Sequence, residues 1–113
     1  MEQLNKIELR GNIGNVKVSE VGTTRVANFS LATNYLYKNK DGEAVVETTW
    51  HNIVAWAGKG MPGFDKLQKG VQAYICGRVR TSRFTGSDGT ERQIYEIVAS
   101  KVQIEDTEKE TVS

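Results

Sequence analysis

Trp50 and Trp56 sit six residues apart in one strand-like run, Thr48 to Ala57. A second run, Arg78-Val79-Arg80-Thr81-Ser82-Arg83-Phe84, carries three arginines and ends on a ring. Flat rings beside cations can hold unpaired bases by their faces and phosphates by charge. Arg80 and Arg83 are the first phosphate contacts to expect, with Arg10, Lys38, Lys40 and Lys59 behind them; each could equally be ordinary solvated surface. Together they would make binding weaken as salt rises. Tyr37, set among Lys38, Asn39 and Lys40, is a further ring expected at the surface.

No catalytic constellation stands beside these rings. His51 is the sole histidine and Cys76 the sole cysteine, and neither has a partner at a useful spacing. No Ser/His/Asp or Cys/His set, paired-carboxylate motif, phosphate loop or metal cluster is evident, so neither an enzyme nor a bound metal or cofactor is expected. Cys76 reads as structural or interfacial, and a lone cysteine fits a reducing cytoplasm. His51 reads as a neutral, hydrogen-bonded side chain on an inner face or in a subunit contact.

At 113 residues and 38% hydrophobic composition, the chain suits one domain with one core. No apolar run is long enough for a membrane span, and the opening residues lack an apolar signal segment. The net charge of +1 is unevenly spread. Residues 1–104 hold 14 basic and 10 acidic residues; residues 105–113 hold four acids and one lysine. The expected organisation is a basic domain over 1–104 and a short, disordered acidic tail over 105–113.

The dominant period is two, which predicts strands. Ile7, Leu9 and Ile13 share one parity, and the apolar positions switch parity after Gly14-Asn15 to Val16 and Val18. That switch predicts a bulge or bend in a long first strand. Ala27, Phe29 and Leu31 mark a second strand, and 34–47 reads as a long hairpin arm around Lys40-Asp41-Gly42. In the third strand Trp50, Asn52, Val54 and Trp56 oppose His51, Ile53 and Ala55. Tryptophans also fill cores, but if Ile53 faces the interior both tryptophans point outward. Residues 58–70, with Gly58, Gly60, Pro62, Gly63 and Gly70, allow one or two helical turns near Phe64–Gln68. A fourth strand alternates from Val71, a turn follows at Gly86–Gly89, and a fifth strand covers Ile94–Ile104. Five strands with a short helical element between the third and fourth is the order of an all-β OB-fold, a small Greek-key barrel. A small sandwich or another small barrel would also suit the length.

Several stretches resemble the bacterial single-stranded DNA-binding protein family. They are Asn5–Gly14, Val26–Thr33, Thr49–Val54, and Leu67–Gly70 leading into Tyr74–Thr81, in order and spread over residues 5–104. The resemblance implies an OB-fold that assembles, usually as a homotetramer, and binds single-stranded DNA without strong sequence preference. It implies roles in replication, recombination or repair in the cytoplasm, at the nucleoid. The family's stacking rings match at Trp50, Trp56 and Phe84, and more loosely at Tyr37. It places the face carrying Tyr74, with Gln72 and Cys76, at a subunit contact, where His51 is also a candidate. The family's helix after the third strand is longer than the Gly/Pro-broken segment here. Family members usually continue into a Gly/Pro/Gln-rich linker and an acidic tip ending in Pro-Phe; residues up to Ser113 carry neither, so recruitment of replication and repair proteins through such a tip is not expected. A different class of function, an OB-fold adaptor that binds another protein, also fits the near-neutral composition.

Overall fold

A computed structural model describes residues 2–105. The strands are β1 (Ile7–Val21), β2 (Thr24–Lys38), β3 (Ala44–Trp56), β4 (Gln72–Thr85) and β5 (Glu91–Glu105), with a single 3-10 turn at Phe64–Lys66 between β3 and β4. They close into a barrel in the order β1-β2-β3-β5-β4, and β4 returns to β1. This is the OB-fold. β5 runs one residue beyond the domain end expected from the sequence, because Glu105 still pairs with Gln72. The remainder of the expected acidic tail, 106–113, lies outside the described residues.

The alternation of apolar residues drives this closure. Ala27, Phe29 and Leu31 of β2, Ile53 and Ala55 of β3, Ala73 and Ile75 of β4, and Ile97, Ala99 and Val102 of β5 fill one buried core. Leu31, Ile53 and Ile75 are its largest fully buried side chains. Ile53 therefore faces inward, and the outward parity of the two tryptophans follows. Phe64 and Leu67 from the turn region plug the barrel, and the Arg25 guanidinium lies over the Phe64 ring at 5.7 Å.

β1 serves two partners. Its first half, Ile7–Asn12, pairs with β4; its second half, Asn12–Val21, pairs with β2. The β1–β2 register slips between Ile13 and Val16, at the Gly14-Asn15 bend that the parity switch predicts. A second slip, opposite Cys76/Gly77, leaves Ser100 as an extra residue on β5. Gly77 is required beside it: a Cβ there would stand 2.2 Å from the Val98 carbonyl oxygen. The parallel pairing of β3 with β5, Ile53 to Ile97 and Val54 to Val98, closes the barrel. That pairing brings the tryptophan strand beside the strand that follows Phe84.

Candidate nucleic-acid interface

Trp50 and Trp56 lie on one outer face, 59% and 42% exposed. Six strand residues place them about 20 Å apart. The Trp50 ring rests on Gly14, where a Cβ would come within 2.7 Å of the ring and 2.4 Å of Ser30 Oγ. The glycine at the β1 bend thus gives the indole its seat, while Ser30 Oγ accepts the backbone N–H of Asn15 at 3.0 Å. Asn52 and the buried Val54 form the floor between the two rings.

Cross-strand register extends this face over four strands. Ser30 pairs with Asn52, Asn52 precedes the Ile53–Ile97 pair as Glu96 does, and Glu96 pairs with Arg80. Ser30, Asn52, Glu96 and Arg80 therefore form one polar row across the barrel. Ile94 pairs with Ser82 and Arg92 with Phe84, so Phe84, 45% exposed, continues the same outer parity on the β4–β5 arm.

The remaining expected contacts scatter. Arg80 Nε holds Glu96 Oε1 at 2.6 Å. Arg83 has the opposite parity from Arg80 and Phe84 and lies 3.5 Å from Glu91. Both groups of that pair are well exposed, so it holds the arginine only weakly. Tyr37 is 41% exposed and stacks on Tyr35, with ring centroids 6.2 Å apart. In the β2–β3 arm Tyr37 has the parity of Leu31 and Thr33, opposite to that of Trp50's partner Ala32. Lys38 and Lys40 are exposed at the end of this arm, and Lys59 in the loop after β3.

Arg10 stands elsewhere. It binds both carboxylate oxygens of Glu105, at 2.9 and 3.0 Å, and lies 5.6 Å over the Tyr74 ring. It therefore joins the β1–β4 outer face with Gln72, Tyr74 and Cys76 rather than the tryptophan face. On that face Tyr74 donates its hydroxyl proton to Glu8, and this bond, foremost, pushes the Tyr74 pKa up to about 12. His51 stays apart from these residues. It sits on β3, half-buried, with Nε2 2.9 Å from Thr33 Oγ1, and burial lowers its pKa below the ordinary imidazole value.

Two further residues flank Trp50 that sequence reasoning does not single out. Lys69 lines a cleft with Gly14, Asn15, Ser30 and Trp50. Tyr95, 70% exposed, lines another with Trp50, Asn52 and Glu96. Neither is near Trp50 in sequence, so only a contact map could have found them. Among the described residues, no group of three or more His, Cys, Asp or Glu side chains could hold a metal ion, and no helix is long and apolar enough to cross a membrane.

On this OB-fold two exposed tryptophans share an outer face, and Arg80 stands in the polar row that crosses it. Residues 4–105 match the model of the single-strand binding protein family, and the chain belongs to that family. It is 40% identical over 104 residues to the single-stranded DNA-binding protein of Xylella fastidiosa; the match takes in 89% of this chain and 63% of that protein. The chain thus spans less than two thirds of that relative's length. A solved structure of Plasmodium falciparum SSB in complex with ssDNA superposes with a TM-score of 0.82 at 32% identity, covering 94% of this chain and 98% of that one. The single-stranded DNA binding protein of Thermus aquaticus, as a deletion mutant, shares the fold at a TM-score of 0.74 and 17% identity, covering 91% of this chain and 51% of that one.

Proposed function

We propose that this protein binds single-stranded DNA by stacking bases on Trp50, Trp56 and Phe84, with Arg80, Arg83, Lys38, Lys40, Lys59 and Lys69 neutralising the backbone. The observation that carries the reading is the pair of half-exposed tryptophans on one outer face, Trp50 seated on Gly14, with Asn52 and the buried Val54 between the two rings. Exposed rings of this size in a row need a partner with flat faces. A single domain offers a weak positive field, so the proposal includes assembly. Copies meet through the β1–β4 face with Arg10, Gln72, Tyr74 and Cys76, and four copies would multiply the charge along the strand's path. This fits a non-enzymatic protein that protects exposed strands during replication, recombination or repair in the cytoplasm. The relatives named for single-stranded DNA binding, and the likeness to a complex with such DNA, support it.

The test is tryptophan fluorescence. Oligothymidine should quench it strongly at low salt and progressively less as salt rises, and duplex DNA of the same length should quench far less. Absence of quenching and of any mobility shift at low salt refutes the reading. Light scattering with and without oligothymidine reports the assembly and its stoichiometry together.

A further inference from the structure

We propose that Tyr35 and Tyr37 form a clamp for a single base on the reverse side of the β2–β3 arm, apart from the tryptophan face. The proposal rests on the single-strand-binding reading above and adds a subsite to it. The two rings stand at alternate positions of β2, on the arm face opposite the one that carries Trp50. They are 66% and 41% exposed, and their planes lie 24° from parallel with centroids 6.2 Å apart. That separation is near the outer limit of about 7 Å for two rings that attract each other, so mutual packing holds them only weakly. Among the described residues neither hydroxyl has a hydrogen-bond partner, so no polar contact fixes either ring.

A flat ring needs about 3.5 Å on each face, about 7 Å in all, to pack between two others. Alternate residues of a strand are about 6.6 Å apart, so the backbone already sets nearly that gap. Parting the two rings by less than about 1 Å admits one base between them. A slot one ring thick takes a flat base and shuts out branched aliphatic side chains. The surrounding charges suit a strand that enters from the tip of the arm. Lys38 and Lys40 lie beyond Tyr37, while the acidic Glu47 lies opposite Tyr35. The arm also leaves room for the path. β1 pairs with β2 only as far as Ala32, and β5 pairs with β3 only at Ile53 and Val54. Among the described residues both edges of the arm are therefore open, and a strand leaving Trp50 can turn round an edge to reach the rings behind it.

Anisotropy of an end-labelled oligothymidine tests the clamp. Tyr35→Leu and Tyr37→Leu should each weaken binding about 5-fold or more, the low end for one ring on one base. Because both rings hold the same base, the double variant should fall within about twofold of the weaker single one. Tyr35→Phe, which keeps the ring, should recover most of the loss. An oligothymidine carrying one iododeoxyuridine should crosslink to Tyr35 under near-ultraviolet light, and Tyr37→Leu should abolish that crosslink. A tyrosine that merely props the arm would give none. If Tyr35→Leu does not fold, Tyr35→Thr, which suits a strand, serves in its place. A Tyr35 variant that binds within about twofold of wild type overturns the proposal alone. So do single losses that multiply in the double variant, or the absence of a Tyr35 crosslink. Failure of wild-type protein to bind oligothymidine at all overturns the single-strand reading and this one with it.

Discussion

Truncating Trp50 to alanine separates stacking from fold more cleanly than any other change. The indole is 59% exposed and rests on Gly14 and Ser30 at the barrel surface rather than in the core. Its loss removes burial of part of one ring, about 1–2 kcal/mol at ~25 cal/mol per Å². That is small against the 5–15 kcal/mol expected of a whole domain, so the barrel should stay folded. Stacking of one base on one ring is worth about 1–3 kcal/mol. Each 1.4 kcal/mol is tenfold, so Trp50→Ala should weaken oligothymidine binding by about 5- to 150-fold. Trp50→Phe should lose much less, because a ring remains. Anisotropy of an end-labelled oligothymidine at fixed salt measures this without relying on the deleted fluorophore. The slope of log affinity against log salt should not change, since no charge is removed. A folded Trp50→Ala protein that binds within twofold of wild type refutes the stacking argument. A lower salt slope also refutes it, since Trp50 would then act by positioning cations.

Lys69→Ala, beside Trp50, should weaken binding to all sequences alike and reduce the salt slope by about 1, read from titrations at several salt concentrations. Gly77→Ala would drive a Cβ to 2.2 Å from the Val98 carbonyl, against backbone that cannot easily yield. It should cost about 3 kcal/mol or more, seen as a lower urea midpoint with an unchanged slope. The ultraviolet titration of the tyrosines should show one, Tyr74, ionising near 12, and Glu8→Ala should bring it back towards the ordinary value of about 10. Because folding raises this pKa, whatever the Tyr74–Glu8 bond adds to stability is complete below about pH 10 and is lost as pH climbs through about 12.

Much of this protein was written in its period. Alternation by two marked all five strands, and the parity switch after Gly14-Asn15 located the slip in the β1–β2 pairing, just past Asn12 where β1 leaves β4. The opposition of Ile53 and Ala55 to Trp50 and Trp56 settled which way the tryptophans point once Ile53 proved to be core. These are local properties, because strand geometry fixes the face of each residue from its neighbours alone. Even the absence of a good helix after β3 followed from Gly58, Gly60, Pro62 and Gly63, and a single 3-10 turn stands there.

What faces what across the barrel was decided only by closure. Whether Arg10 joins the tryptophans or Tyr74 depends on which strand lies beside β1, and β4 took that place. Tyr95 and Lys69 reach Trp50, and Glu96 comes between Asn52 and Arg80, because β5 runs parallel to β3 in one particular register. A shift of that register by one residue would turn every side chain of β5 to the other face. Local alternation along one strand does not show that choice. It emerges from the shear and stagger that let five strands of this length close around Leu31, Ile53 and Ile75. The sequence alone determined on which side of its strand each ring and charge stands, and the tertiary structure determined which side meets solvent and which residues share a surface.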